Sequence, residues 1–286
     1  MATSALTLIQ RTRRLLRDFP DDDALTASVS SSGTTLTVGD GTIYASKFVL
    51  ELDQEVIKTT VAGSGTTVTS VRRGAQGSTA ASHASGTMVL INPRFYSVEI
   101  IDALNDALDA CYPLLYRQVT TEYTGTSDTI YEYTIPSMSG IGVAIPSIYR
   151  IDIQESGETA FRETRAWEIV RGESPFIKFK RPPASASTVR VYGYGPFTHF
   201  TSITDELDTY FPVQAEALLP LFAASQLLAS GEAYRVRSFT GALDSRENAN
   251  ATGASLRVAE NFRNRFYTQL QKAAMPPPQK HLKSFI

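Results

Sequence analysis

The sequence is short of the residues that build metal-binding and redox centres. One cysteine, Cys111, stands in 286 residues. It excludes an intramolecular disulfide and a thiolate zinc site of the finger type. The three histidines, His83, His199 and His281, lie far apart with no i,i+4 partner, so a histidine-rich metal site has no local basis. No run approaches the roughly 18 apolar residues of a membrane span. The start, MATSALTLIQRTRRLL, puts its apolar residues ahead of its arginines, unlike a secretory leader. The expectation is therefore a chain with no membrane contact and no cofactor. A net charge of −2 exerts no overall pull on nucleic acid or anionic lipid.

What is present suits a packed fold. Hydrophobic residues make up 42%, with 14 Phe and 13 Tyr, enough to build a core and to exclude wholesale disorder. The charge is uneven. Residues 1–20 carry Arg11, Arg13, Arg14 and Arg17 against Asp18, and residues 232–286 carry nine Lys or Arg against four acids, so both ends are basic.

Periodicity divides the chain into helices and two β-rich stretches. Residues 1–20 read as an N-terminal helix with Ser4 as its cap and Ala5, Leu8, Ile9, Thr12, Leu15, Leu16 and Phe19 on one stripe. Pro20 and an acidic turn at Asp21–Asp23 end it. Residues 21–93 form a first β module of about five short Val/Thr/Ile-rich strands. Residues 94–117 read as a core helix carrying Cys111 on its apolar stripe, and residues 118–203 as a second β module. Residues 204–272 hold two further helices, capped by Thr204 and Asp244, the first apolar nearly all round. Residues 273–286, with Pro276, Pro277 and Pro278, read as an extended basic tail. The expected class is α+β: a helical core of about four helices with two antiparallel β-rich insertions and an extended C-terminal tail.

The stretch from Arg72 to Thr87, RRGAQGSTAASHASGT, is the densest candidate for chemistry. As a phosphate cradle it lacks the lysine and the following helix of a P-loop. As a catalytic loop it offers His83 near Ser78, Ser82 and Ser85, but no G-x-S-x-G elbow. A loop histidine hydrogen-bonded to backbone is the plainer reading. Glu51, Asp53 and Glu55 alternate as on one strand face and could serve a glycosidase, although like charges so placed usually mark a solvated face. Asp21–Asp23 alone lacks the ligands of a calcium loop. Tyr131, Tyr133, Tyr149, Trp167, Tyr192 and Tyr194 allow a sugar-binding face or, more simply, a packed sheet.

Two segments carry a family resemblance. Phe48–Ile91 resembles a segment common in structural proteins of tailed bacteriophages, through Glu55, Arg73, Gly74, Gly77, Ser78, His83, Gly86, Thr87 and Val89. Phe176–Ala229 is similar to the strand, proline turn, strand and helix of phage head-to-tail adaptor (connector) proteins. The resemblance implies a non-enzymatic virion protein. It would form a homo-oligomeric ring in the neck, typically of about twelve copies. The portal protein would sit above it and neck or tail proteins below, with transient, nonspecific contact to genomic DNA in the channel. A minor tail or baseplate component is the alternative, and a host-glycan-binding or wall-degrading tail protein a further one. In this setting Arg73, Gly74, Gly77, Ser78, His83 and Gly86 form a structural loop motif. The candidate interface comprises Arg11, Arg13, Arg14 and Arg17 with Pro276, Pro277, Pro278, Lys280, His281, Lys283 and Phe285 of the tail.

Overall fold

The computed structural model describes residues 3–124, 126–137, 145–172, 175–239 and 245–276; side chains at 231–239 and 245–254 lie outside the description. The chain divides into two compact units. The first comprises Met1–Ala107, Phe200–Leu207 and Glu216–Gln269, and the second Leu108–His199, Asp208–Ala215 and Leu270–Ile286.

The first unit opens with helix α1 (Ala5–Leu16). The Ser4 side chain accepts from the Thr7 amide at its start, and Arg17, in the left-handed region at φ 53°, ends it. Seven strands follow: β1 (Asp21–Ala24), β2 (Leu36–Thr37), β3 (Val49–Leu52), β4 (Glu55–Thr59), β5 (Thr67–Val68), β6 (Val71–Arg72) and β7 (Met88–Ile91). Five of them form an antiparallel sheet in the order β1-β7-β3-β4-β6, and β2 pairs with β5. Leu25, Leu36, Val38, Leu50, Leu52, Ile57, Val68, Val89 and Ile91 close over one another as a core. Helix α2 (Ser97–Cys111) comes next.

The second unit carries β8 (Arg117–Tyr123), β9 (Glu132–Thr134), β10 (Ser147–Gln154), β11 (Arg162–Thr164), β12 (Trp167–Val170), β13 (Phe176–Phe179) and β14 (Thr188–Gly195). They make a four-stranded sheet, β11-β10-β14-β8, and a three-stranded one, β12-β13-β9. Val119, Ile148, Ile151, Val189 and Val191 of the first sheet pack against Ile177 and Phe179 of the second, so the two sheets form a sandwich. Along β14 buried Val189, Val191 and Gly193 alternate with half-buried Arg190, Tyr192 and Tyr194. Helices α3 (Leu218–Phe239) and α4 (Ser245–Ala273) complete the chain. Within the first unit α1 packs on α3, and Phe222 meets Phe266 of α4 at 4.8 Å between ring centroids.

The α+β expectation of a helical core with β insertions is overturned. Among the described residues the protein is mostly β-rich, about 28% helical, with four helices and four antiparallel sheets. The two apolar clusters described above contain no helical residue. Most of the strands are only two to five residues long and broken by turns, which gives weak local periodicity, whereas long helices announce themselves over many turns. The helix expected from Thr204 is also absent. Asp205 instead accepts from the Thr201 and Ser202 amides, closing a turn, and α3 begins at Leu218. Pro220 sits in the first turn of α3, where a missing N–H costs nothing. Asp21–Asp23 is no loop but part of edge strand β1, paired with β7. The extended tail falls almost wholly outside the described residues, as does the proposed cap Asp244. Before that limit the Met275 amide donates to the Leu114 carbonyl, and the Tyr116 hydroxyl to that of Pro276.

Candidate functional site

The glycine-rich stretch folds around one carboxylate. Glu55 opens β4 directly after a two-residue hairpin turn, Asp53-Gln54, in which Asp53 takes φ 55°. Glu51, Asp53 and Glu55 therefore do not share one strand face: Glu51 lies on β3, Asp53 in the turn and Glu55 on β4. Nor do Glu51 and Glu55 face solvent, since they are 1% and 2% exposed.

Five donors converge on Glu55. Arg73 meets it side-on with two bonds of 2.7 Å, Nε to Oε1 and Nη2 to Oε2. The Gly74 amide donates to Oε1 and the Ala81 amide to Oε2, both at 3.0 Å, and His83 Nε2 lies 2.9 Å from Oε2. Burial alone would raise the Glu55 pKa. The bonds from Arg73, Ala81, His83 and Gly74 outweigh it and hold the carboxyl down at about 2. Arg73 spends its remaining donors on the carbonyls of Ser30, Gly33 and Ala81, so one guanidinium ties β4 to the Ser30–Gly33 turn and to the loop at Ala81. The other nitrogen of His83, Nδ1, lies 2.8 Å from Asp53 Oδ2. Both ring nitrogens thus face carboxylates, and only the doubly protonated ring donates to both. The His83 backbone exchanges hydrogen bonds with Val29.

Gly74 adopts φ 57°, and a Cβ there would come within 3.0 Å of the Ser78 carbonyl oxygen. Gly77 and Gly86 adopt φ 85° and 89° with open space around them. Ser78 Oγ accepts from the Val56 amide at 2.9 Å and donates to the Ala75 carbonyl at 2.9 Å. A groove of about 530 Å³ borders this cluster, with Asp53, Ser78, His83, Tyr96 and Glu99 among its walls. Its chemistry is that of a saturated clamp. Glu55 already accepts at least as many bonds as a carboxylate has lone-pair sites, and Ser78 is engaged on both sides away from any base.

No protein-family model matches the chain, and no curated protein does.

The other candidates scatter. Arg13 is buried, with Nη1 2.7 Å from Asp18 Oδ2 and Nη2 2.9 Å from Glu51 Oε2. Glu51 also accepts from the Ser97 amide, and Asp18 from the amides of Arg94 and Phe95. This second clamp joins α1 to β3 and the start of α2, and no sequence motif announced it. Arg11, Arg14 and Arg17 stay on the surface, Arg11 within 3.7 Å of Glu216. Pro276 lies at the limit of the described residues; Pro277, Pro278, Lys280, His281, Lys283 and Phe285 lie outside them. Tyr133 and Trp167 pack against the sandwich core, whereas Tyr149, Tyr192 and Tyr194 form a tilted cluster with Tyr149 6.3 and 6.4 Å from the other two. Tyr131 is exposed. Cys111 is buried, which pushes its thiol up to about 12. Among the described residues no group of three or more His, Cys, Asp or Glu could hold a metal ion.

Proposed function

We propose that the chain is a structural protein of a tailed-phage virion, a head-to-tail adaptor that forms a ring beneath the portal and lines the DNA channel. The observation that carries the reading is the Arg73–Glu55–His83 clamp. Glu55, Arg73 and His83 of the phage-like segment Phe48–Ile91 are spent on one another, which is the arrangement of a loop selected for shape. The similarity of Phe176–Ala229 to connector proteins narrows the reading from virion protein to adaptor. In such a role the protein acts by geometry, and any hold on DNA is nonspecific and sensitive to salt.

Labelling the protein in purified particles and imaging them by negative stain tests the reading. The expected result is density at the neck, in a ring, and retention by immobilised portal protein. Label at the distal tail tip would replace the adaptor with a tail component, and absence from particles would end the proposal.

A further inference from the structure

The outer face of the larger sheet of the second unit carries a row of tyrosines. Along β14 the buried Val189 and Val191 turn into the sandwich, so Tyr192 and Tyr194, alternating with them, turn away from it. On β10 the pairing with β14 is irregular between Ile148 and Arg150, and both Tyr149 and Arg150 reach this face. Between ring centroids Tyr149 lies 6.3 Å from Tyr192 and 6.4 Å from Tyr194, and the Arg150 guanidinium stacks 5.1 Å over Tyr192. Tyr116, just before β8, extends the row, with its ring 5.0 Å from that of Tyr194. Tyr149, Tyr192 and Tyr194 are half-buried. Among the described residues the hydroxyls of Tyr149 and Tyr194 make no hydrogen bond.

The last described residue lies against this row. The Met275 amide donates to the Leu114 carbonyl, and the hydroxyl of buried Tyr116 donates to the Pro276 carbonyl at 2.6 Å. Pro276 is therefore fixed at the Tyr116 end of the row, and ten residues, PPQKHLKSFI, follow it. The first two are prolines. A proline has no N–H to give to a sheet edge, so at these positions the stretch cannot extend the sheet beside β8. What it offers is apolar rings and, in an extended polyproline conformation, carbonyls that no internal bond uses. Tyrosines with unengaged hydroxyls match both, because their rings pack on proline and their hydroxyls donate to carbonyls. The Tyr116–Pro276 bond is already a contact of that kind. The reach is adequate. Two residues of β14 cover about 7 Å. An extended proline-rich chain advances about 3.1 Å per residue, so about three residues past Pro276 carry it from Tyr194 to Tyr192.

We propose that residues 277–286 dock on this face of their own chain, with Pro277 and Pro278 against Tyr194 and Tyr149 and the following residues running on past Tyr192. Tail and face belong to the same unit, so the docking needs no second copy. The contact stands without the adaptor reading. A protein whose tail docks this way yet is missing from the phage neck would keep the contact and lose that role.

Trypsin cleavage after Lys280 and Lys283 tests it, read by mass spectrometry on the full chain and on a synthetic peptide of residues 276–286. Cleavage of a docked tail tracks its undocked fraction, so the wild-type tail is expected to be cut at least about tenfold more slowly than the peptide. Two double variants should bring it to the peptide rate. Tyr192→Ser with Tyr194→Ser strips the face. Pro277→Gly with Pro278→Gly strips the tail, leaves the sandwich untouched and is compared with a peptide of its own sequence. Tyr116→Phe removes only the hydroxyl at Pro276 and should speed cleavage less, about threefold. Far-ultraviolet circular dichroism verifies that each variant folds. A wild-type tail cut as fast as the peptide overturns the proposal. So does protection that survives either double variant, which would assign the tail to another surface, or protection that fades on dilution, which would assign it to a second copy.

Discussion

Arg13 and Arg73 each hold a buried glutamate in the same unit, yet the two carboxylates respond in opposite directions. Glu55 is held well below the ordinary carboxylate range, while Glu51 is raised above it. Burial is the largest influence on both. The difference is the supply of donors. Arg73 gives Glu55 two parallel bonds, and two amides and His83 add three more. Arg13 gives Glu51 a single bond and divides its charge with Asp18, so the Ser97 amide and that shared cation do not offset desolvation. A buried ion pair is thus no fixed quantity; the bonds around it decide the sign of the shift.

Removing the cations breaks the comparison most directly. Arg73→Met strands a buried, ionised Glu55 and is expected to cost about 3–5 kcal/mol. Arg13→Met should fall at the low end, about 3 kcal/mol at neutral pH, and cost less near pH 5, because Glu51 takes up a proton more readily. Urea unfolding at both pH values measures the two; an Arg13→Met cost independent of pH would sink the asymmetry.

Acid sharpens it from the other side. The stability contributed by Glu55 is fully present above the ordinary value of 4.5 and is lost as pH falls towards about 2. Glu51 runs the opposite way: its desolvation penalty stands at neutral pH and is relieved as pH falls through its raised value. Glu55→Gln is therefore expected to lower neutral-pH stability by about 1–3 kcal/mol and to flatten the acid limb. Glu51→Gln should lose less at neutral pH and gain nothing on acidification. Thermal melts between pH 2.5 and 7 distinguish the two patterns, and matching profiles would refute the assignment.

The smallest effects lie in the glycines of the Arg73 clamp. Gly74→Ala meets both a left-handed backbone and the Ser78 carbonyl, so about 2 kcal/mol is expected; Gly77→Ala meets only the backbone penalty, about 1 kcal/mol. Chemical denaturation of both variants reads the difference. Equal losses would mean that the loop gives way around Gly74.

Legibility followed the distance over which each feature is encoded. The stripe of Leu8, Ile9, Thr12 and Leu16 repeats within one element, and α1 forms there, over Ala5–Leu16. The loop from Arg72 to Thr87 could be delimited because glycines and small polar residues crowd into it. Its partners could not. Ser30 and Gly33 come from one turn and Asp53 from another, and Glu55 looked like one of three solvated acids until the hairpin at Asp53-Gln54 separated them. The acids of Thr204–Asp208 resembled a helix start, but Asp205 closes a turn and Asp208 pairs with Arg117, 3.2 Å away. Local propensity yielded there to partners supplied by the fold.

The Arg13 clamp shows the same limit most plainly. Four arginines within seven residues look interchangeable in the chain, and helical spacing alone places them on different sides of α1. That Arg13 goes inside while Arg14 and Arg17 stay in water depends on Glu51 and Ser97, which are brought to it from 38 and 84 residues away. Composition and periodicity settle which segments can be helix, strand or tight loop, because those preferences act between near neighbours. Which charges are buried, which are paired and which are left facing outward is decided only once strands and helices close on one another, because desolvation and pairing are properties of a place in the fold and not of a residue type.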